Sequence, residues 1–228
     1  GDTTAGAFFS FITALLSAYR PMKSLANANA SVNEGLAGAG RLFAVLDTKP
    51  AMQEKPGAAP LSVGLGEVRF ENVAFTYGDD LAALKSISFA AASGKTTALV
   101  GPSGAGKTTI LNLIPRFYDV SAGSILIDGI NIADVTLASL RDAVALVSQD
   151  VVLFDDSVRA NIRYGRPEAS DADVEAAAAA AGASDFIASL PAGFDTLVGE
   201  RGQTLSGGQR QRIAIARALL KDAPILLL

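Results

Sequence analysis

The chain has 228 residues, enough for one large domain or two small ones, and 50% of them are hydrophobic, with a mean hydropathy of +0.33. The net charge of −4 and the pI near 4.9 argue against nucleic acid as the main partner. The sequence contains no Cys, which excludes disulfides and thiolate metal sites, and it contains no His. The composition instead predicts some apolar surface that faces a membrane or a partner.

The first stretch, residues 3–19, carries no charged side chain and is rich in Phe and Leu. Its 17 residues are the lower limit for crossing a bilayer, and Arg20 and Lys23 follow at once, as on the cytoplasmic side of a membrane helix. We therefore predict that residues 1–20 are the cytoplasmic end of a transmembrane helix, in a chain that is a piece of a longer protein. A buried helix of a soluble domain is the alternative. A signal peptide is not expected, because the basic residues follow the apolar run.

Residues 24–47 place apolar side chains at helical spacing, with polar ones between them. This pattern predicts a cytoplasmic helical extension over residues 21–47, which should end before Pro50. Pro and Gly then recur as far as Gly66, which indicates an irregular linker over residues 48–66. The apolar positions of the helical pattern are Leu25, Val32, Leu36, Ala39, Phe43 and Leu46.

A second domain is predicted over residues 67–228, with helices dominating from about residue 150 to about residue 220. Strands that alternate with helices around a glycine-rich loop are typical of an α/β fold with a mainly parallel sheet, here with an inserted helical part. The strands are predicted near residues 68–73, 86–89, 97–100, 124–127, 144–147 and 225–228, and the helices near residues 137–143, from Ser157, from Ser170 and from Ser206.

The loop at residues 101–109 reads GPSGAGKTT and matches the phosphate-binding pattern G-x-x-x-x-G-K-[ST], between a predicted strand and a predicted helix. Glycines allow the backbone N–H groups to point at phosphates, and the next helix adds its N-terminal donors. Lys107 is expected to reach the β- and γ-phosphates of ATP, and the Thr108 hydroxyl to bind Mg²⁺. A flexible glycine turn is the alternative. The predicted site residues are Gly101, Pro102, Ser103, Gly104, Ala105, Gly106, Lys107, Thr108 and Thr109.

A shorter copy, GKTT at residues 94–97, provides an internal comparison. The pattern would require Gly at position 89, where Phe89 stands. We therefore expect a turn with Lys95 in solvent, and no nucleotide site there.

A second glycine-rich stretch, LSGGQ at residues 205–209, precedes a strongly amphipathic helical pattern. Ser206 and Gln209 have the spacing of a capping box, so a purely local role is one interpretation. That role does not explain Gly207 and Gly208, because glycines in a helix cost about 1 kcal/mol each relative to Ala. They are favoured where a phosphate must approach the N-terminus of a helix closely.

With these two motifs, nearly the whole chain resembles an ATP-binding cassette (ABC) exporter. The resemblance implies a P-loop NTPase fold, that is, an ABC-type nucleotide-binding domain with an inserted helical subdomain. Tyr77 matches the aromatic residue that stacks on adenine in this family, with an aromatic of the core as the alternative. Gln149 matches a glutamine that contacts Mg²⁺ and water, and residues 199–202 match a loop that touches the intracellular loops of exporters.

Other segments extend the resemblance. Residues 153–165 resemble exporter sequence, and residues 20–25 are similar to the end of the sixth transmembrane helix of lipid-flippase exporters. Ala105 and Thr108 stand where Ser is common in the family, which is tolerable because the backbone does most of the binding. Residues 225–228 match the apolar half of the strand that carries the Mg²⁺-binding Asp. The resemblance places that Asp, the water-polarising Glu and the switch His after this strand, so we expect the chain itself to bind ATP without hydrolysing it.

The resemblance implies ATP-driven export or flipping of a lipid or another hydrophobic compound at the inner (plasma) membrane, with the nucleotide-binding domain on the cytoplasmic side. It also implies a homodimer with a second half-transporter. ATP would then lie between Lys107 and Thr108 of one copy and Ser206 and Gly208 of the other. No nucleic acid partner is expected. The alternatives are a soluble ABC ATPase in DNA maintenance, which the acidic pI and the apolar N-terminal segment disfavour, and a non-hydrolysing nucleotide-binding regulator.

Overall fold

The computed structural model describes residues 4–50, 52–78 and 81–228. The chain separates into two compact units, Gly1–Ala51 and Met52–Leu228. The side chains of Arg20 and Leu25, which the sequence analysis used, lie outside the described part.

The first unit is one helix, α1, which spans Ala5–Leu46 and contains Pro21. Thr4 caps its N-terminus, and Asp47 ends it before Pro50, as the sequence predicts. The apolar side chains along α1 are exposed within the unit. The helix runs unbroken through residue 20, so the predicted boundary there stays a prediction. Among the described residues, no helix combines the length and the apolar character that crossing a membrane requires.

The strands of the second unit form two sheets. In the larger sheet the order is β2-β1-β3-β4 with every pair antiparallel, and in the smaller sheet β5 and β6 pair in parallel. The strands are β1 (Val68–Tyr77), β2 (Leu81–Ala91), β3 (Ala122–Ile127), β4 (Ile130–Asn131), β5 (Val144–Leu146) and β6 (Ile225–Leu227).

The prediction of a mainly parallel sheet is therefore wrong for the described strands. Only three residues separate β1 from β2, and only Asp128 and Gly129 separate β3 from β4. Connections this short produce hairpins, and the strands of a hairpin are antiparallel.

The predicted strand at residues 97–100 is also absent, because these described residues pair with no neighbouring strand. Val100 is 93% exposed. An apolar run becomes a strand only where a sheet edge accepts its backbone hydrogen bonds. In the smaller sheet, β6 instead pairs with β5.

The helices of the second unit agree with their predicted starts. Ser157, Ser170 and Ser206 each act as an N-cap, and Ser170 and Ser206 do so in capping boxes. The helices are α2 (Lys107–Leu113), α3 (Leu137–Asp142), α4 (Val158–Arg163), α5 (Asp171–Ala180), α6 (Ser184–Ala188) and α7 (Gly207–Lys221), with 3₁₀ turns at Ile132–Asp134, Gly193–Asp195 and Glu200–Gly202.

The two larger hydrophobic cores of the described residues lie in this unit. The first joins both sheets to α2 and α3, with Phe70, Leu113 and Leu140 at its centre. The second is formed mainly by helices and contains Val174 and Ile213. The predicted helical part is thus a separate core, inserted between β5 and β6.

The segment before β1 is irregular, yet from residue 52 onward it is fastened to the second unit; we call residues 52–67 the docked linker. Its main anchor is Asp128, which lies in the turn between β3 and β4 with a φ of +50°. The Asp128 carboxylate accepts four backbone hydrogen bonds of 2.8–3.0 Å, from residues 64, 65, 66 and 67. Further bonds run from Arg116 Nη2 to the Gln53 carbonyl (3.2 Å) and from the Leu61 amide to Ser139 Oγ (2.8 Å).

We expect Asp128→Asn to lower the free energy of unfolding by about 2 kcal/mol, because hydrogen bonds to a charged acceptor are the strong ones. Asn tolerates the left-handed backbone at this position as well as Asp does, so the change removes the charge and one acceptor oxygen without straining the backbone. Asp134→Asn is the matched control. Asp134 pairs with Lys55 in solvent, and its loss should change stability by less than about 1 kcal/mol. Equal losses in urea unfolding would contradict the anchoring role.

The same pair of proteins should show a defined pH dependence. The pKa of Asp128 is lowered, chiefly by the hydrogen bond from the Gly66 amide, against an opposing effect of burial and with help from the other three amides. A carboxyl with a lowered pKa contributes stability above its unfolded value, about 3.9, and loses it as the pH falls through its folded value. The stability difference between wild type and Asp128→Asn should therefore be constant near neutral pH and shrink below about pH 4. A difference that does not change with pH would contradict it.

Candidate nucleotide-binding site

The predicted phosphate loop forms a tight turn that leads into α2. Gly104 and Gly106 have φ values of +80° and +87°, and Gly106 is the N-cap of α2. A Cβ added at Gly106 would lie 2.6 Å from Leu84 Cδ2 and 3.0 Å from the Ala83 carbonyl oxygen. Both the backbone conformation and the close approach to β2 therefore require glycine here.

The ammonium group of Lys107 lies against the start of this loop. Its Nζ donates to the carbonyls of Gly101 (2.9 Å) and Pro102 (2.8 Å). These acceptors are neutral, so an anion that enters the loop would offer the ammonium a stronger, charge-assisted partner. The Thr108 side chain is exposed, and its hydroxyl is open to a ligand.

Tyr77 ends β1 beside the same helix. Its hydroxyl donates to Thr109 Oγ1 at 3.3 Å, and Thr109 is 6% exposed. Tyr77 itself is half-buried and packs against the first core. The structure thus places Tyr77 beside the phosphate loop. The Tyr77 ring also packs partly in the core, which was the alternative interpretation.

The shorter GKTT copy forms a turn, as predicted. Gly94 has a φ of +64°, the Lys95 amide bonds the Ala92 carbonyl at 3.2 Å, and the Lys95 side chain is exposed. No helix follows it, because residues 95–106 are irregular.

The second glycine motif opens α7. Ser206 Oγ accepts from the Gln209 amide at 3.3 Å, and Gln209 Oε1 accepts from the Ser206 amide at 2.8 Å, so the capping box is formed. Gly207 and Gly208 are exposed. A Cβ at Gly208 would meet nothing within 4 Å, and one at Gly207 only Arg210 Nη2 at 3.9 Å. Nothing described in this chain therefore requires glycine at these two positions.

The two other family positions lie on loops. Gln149 is exposed in a bend after β5, and within the described residues its side chain makes no hydrogen bond. Residues 199–202 form a strained turn, in which Gly199, Arg201 and Gly202 all have positive φ. Gly202 is buried against Leu153, whose Cδ1 would lie 2.9 Å from an added Cβ.

The predicted residues fall into two groups. Tyr77 and the phosphate loop pack on the first core, and the helix that carries the second glycine motif packs mainly on the second. Among the described residues, no hydrogen bond or ion pair joins the two groups. No cluster of three or more acidic side chains that could hold a metal ion occurs in the described ranges.

Sequence reasoning missed several residues around these motifs. Asp128 and Tyr118 belong to no motif, and their partners, residues 64–67 and the Tyr77 ring, are distant in sequence. Arg217 could have been noticed, since it lies on the apolar side of a strongly amphipathic helix. Its guanidinium bonds the backbone oxygens of Asn161 (2.9 Å) and Val152 (3.2 Å), and burial lowers its pKa.

Comparisons with known proteins identify relatives over the whole chain. The profile of the family described as "ABC transporter" matches residues 84–228. The chain is 50% identical over 228 residues to an ATP-dependent lipid A-core flippase of Desulfotalea psychrophila, covering 100% of the chain and 40% of that protein. It is 54% identical over 227 residues to a flippase of the same name from Albidiferax ferrireducens, covering 99% of the chain and 39% of that protein.

A solved structure shares the fold. The structure of a bacterial Atm1-family ABC exporter with ATP bound superposes with a TM-score of 0.89 at 48% identity, over 99% of this chain and 40% of that chain. The chain thus spans about two fifths of the length of the curated relatives named above. The predicted fold class, an ABC-type nucleotide-binding domain with an inserted helical part, is confirmed.

Replacing a glycine by alanine should change the stability of the chain differently in the two glycine motifs. We expect Gly106→Ala to destabilise the chain by more than about 2 kcal/mol, because it combines a left-handed backbone with a clash. We expect Gly208→Ala to leave stability unchanged or to raise it by up to about 1 kcal/mol, because the helix gains a better helix former in open space. Chemical denaturation of both variants measures this. A marked loss for Gly208→Ala would mean that the glycine serves this chain's own packing.

Proposed function

The chain belongs to the ABC transporter family, and we propose that it is the nucleotide-binding part of an exporter that uses ATP to flip a lipid across the inner (plasma) membrane. The names of the relatives, which are ATP-dependent lipid A-core flippases, point to lipid A-core as the substrate. In this proposal the second unit lies on the cytoplasmic side of the membrane, and residues 1–20 are the end of a transmembrane helix.

The phosphate loop would hold the triphosphate of ATP. The backbone N–H groups around Gly104 and Gly106 would surround the phosphates, and Lys107 would exchange its two carbonyl partners for phosphate oxygens. The exposed Tyr77 surface would stack on adenine. The turn at Gly104 and Gly106 and the position of Lys107 across it support binding by residues 101–109.

The residues also fit Mg²⁺, which prefers oxygen ligands and keeps several waters. The exposed hydroxyl of Thr108 and the exposed amide oxygen of Gln149 are such ligands. When bound, Mg²⁺ would neutralise charge on the β- and γ-phosphates. Thr108 would hold it from the start of α2, and Gln149 from the bend after β5.

The observation that carries the proposal is the open space around Gly207 and Gly208. Ser206 caps the Gln209 amide, but the first two residues of this fifteen-residue helix, Gly207 and Gly208, are exposed at the positive end of its dipole. A phosphate carried by a second copy would fill that space. We therefore propose a homodimer in which Ser206 and Gly208 of one copy face Lys107 and Thr108 of the other across ATP.

We expect Lys107→Ala in the full-length protein to weaken ATP binding at least about a hundredfold, because the charge-assisted bonds to the phosphates are lost. Lys95→Ala removes the same charge from the second GKTT sequence and should leave affinity within about twofold, since Lys95 lies in solvent on an irregular segment. Nucleotide titration compares the two. Equal losses would place the site elsewhere.

The chain of residues 1–228 should bind ATP without turning it over. Phosphoryl transfer depends on positioned charge and an oriented water, and the family resemblance places the acidic residues for both tasks after β6. Phosphate release by the purified chain, beside the full-length protein in lipid, is the measurement. Mg²⁺-dependent release that Lys107→Ala abolishes would show that the chain already contains the required carboxylate.

A further inference from the structure

Three aromatic rings meet beside the phosphate loop. The Tyr77 ring stands edge-on to Phe75, with centroids 4.6 Å apart and an interplanar angle of 87°. It stands edge-on to Tyr118 as well, at 5.3 Å and 83°. Phe75 and Tyr118 also touch, at 5.5 Å and 49°. Edge-to-face pairs of this kind are attractive and fix the orientation of the rings.

The hydroxyl of Tyr77 is fixed as well, by its bond to Thr109 in α2. The ring is therefore supported from its own strand, from the helix of the phosphate loop and from the loop that follows α2. Of the three rings, Phe75 and Tyr77 belong to β1, and Tyr118 belongs to the loop that follows α2. Tyr118 is 43% exposed, whereas Phe75 is only 4% exposed.

The loop that carries Tyr118 is itself held in place. Arg116 has a φ of +53°, and its Nε donates to Asp119 Oδ1 at 2.7 Å. The guanidinium of Arg141 donates to the carbonyls of Pro115 and Arg116, each at 3.3 Å. Tyr118 is thus presented to Tyr77 from a fixed backbone rather than from a mobile loop.

We propose that Tyr118 is a positioning residue that holds the Tyr77 ring ready to stack on the adenine of ATP. This inference rests on the proposed function of Tyr77. A ring already held in its stacking orientation loses little conformational freedom when the base arrives, so the affinity for the base rises although Tyr118 itself does not touch it. The triphosphate, which the phosphate loop binds, gains nothing from Tyr118.

The experiment measures the binding of ATP and of inorganic tripolyphosphate to the full-length protein and its variants. We expect Tyr118→Ala to weaken ATP binding about two- to tenfold, as for the loss of one aromatic pair, and to leave tripolyphosphate binding unchanged. Tyr118→Phe should retain ATP affinity, because Phe keeps the aromatic ring that packs against Tyr77.

Phe117→Ala is the matched control. Phe117 is the adjacent residue with the same 43% exposure, but its ring lies under Arg141, 5.7 Å from the guanidinium carbon, and outside the three-ring cluster. We expect Phe117→Ala to leave the affinity for both ligands unchanged.

A double variant separates positioning from direct contact. If Tyr118 acts only through Tyr77, the double variant, which carries both Tyr77→Ala and Tyr118→Ala, should bind ATP no more weakly than the single variant Tyr77→Ala. Fully additive losses would overturn the inference, since Tyr118 would then touch the base itself. Equal losses for ATP and tripolyphosphate on Tyr118→Ala would also overturn it, because they would indicate a general effect on folding.

The same measurements distinguish a failure of the Tyr118 inference from a failure of adenine stacking at Tyr77. If Tyr77→Ala weakens ATP binding and Tyr118→Ala does not, the inference about Tyr118 is wrong and the role of Tyr77 stands. If Tyr77→Ala leaves ATP binding unchanged, adenine stacking at Tyr77 is wrong, and the positioning role is overturned with it.

Discussion

The arrangement of the second unit depends on how α7 packs on two sides at once. Ile213, Ala216 and Leu220 belong to the helical core, whereas Ala218 packs against the β5 segment. The chain that leaves α4 passes so close to α7 that a Cβ at Gly165 would lie 2.2 Å from the Arg217 carbonyl oxygen. The start of α7, where its glycines face solvent, is thus fixed by backbone packing some ten residues further along the helix.

A half-buried cation stabilises this contact between α4 and α7. The Arg217 guanidinium lies near the rings of Phe154 and Tyr164, 5.7 Å and 5.6 Å from their centroids, and also donates to Asn161 Oδ1 at 3.0 Å. Asn161 is 1% exposed and in turn bonds the backbone of Phe154 in both directions. Removing the cation would take a hydrogen bond from both the backbone and the side-chain oxygen of Asn161, which makes the α4–α7 contact specific as well as apolar.

The sequence predicts those features whose interacting residues lie close together along the chain. The caps at Ser157, Ser170 and Ser206 depend on residues three positions apart, so pattern alone identifies them. The phosphate loop is equally local. The pairing of β1 with β3 and of β5 with β6 is not local, because long stretches of chain separate these strands. The same apolar run at residues 97–100 likewise fits a paired strand or an irregular segment. Tyr118 and Asp128 show no pattern, because their partners come from other strands and loops.

The docked linker has a consequence for how the protein would be cut by proteases. A Pro- and Gly-rich stretch between two compact units is ordinarily the first place where digestion occurs, since cleavage requires a segment that opens locally. Here the amides of residues 64–67 are held by one carboxylate, and residues 53 and 61 are bonded to the same unit. Cleavage at residues 64–67 would therefore have to wait for the Asp128 carboxylate to release their amides, and the rate of nicking there would report how often that contact opens.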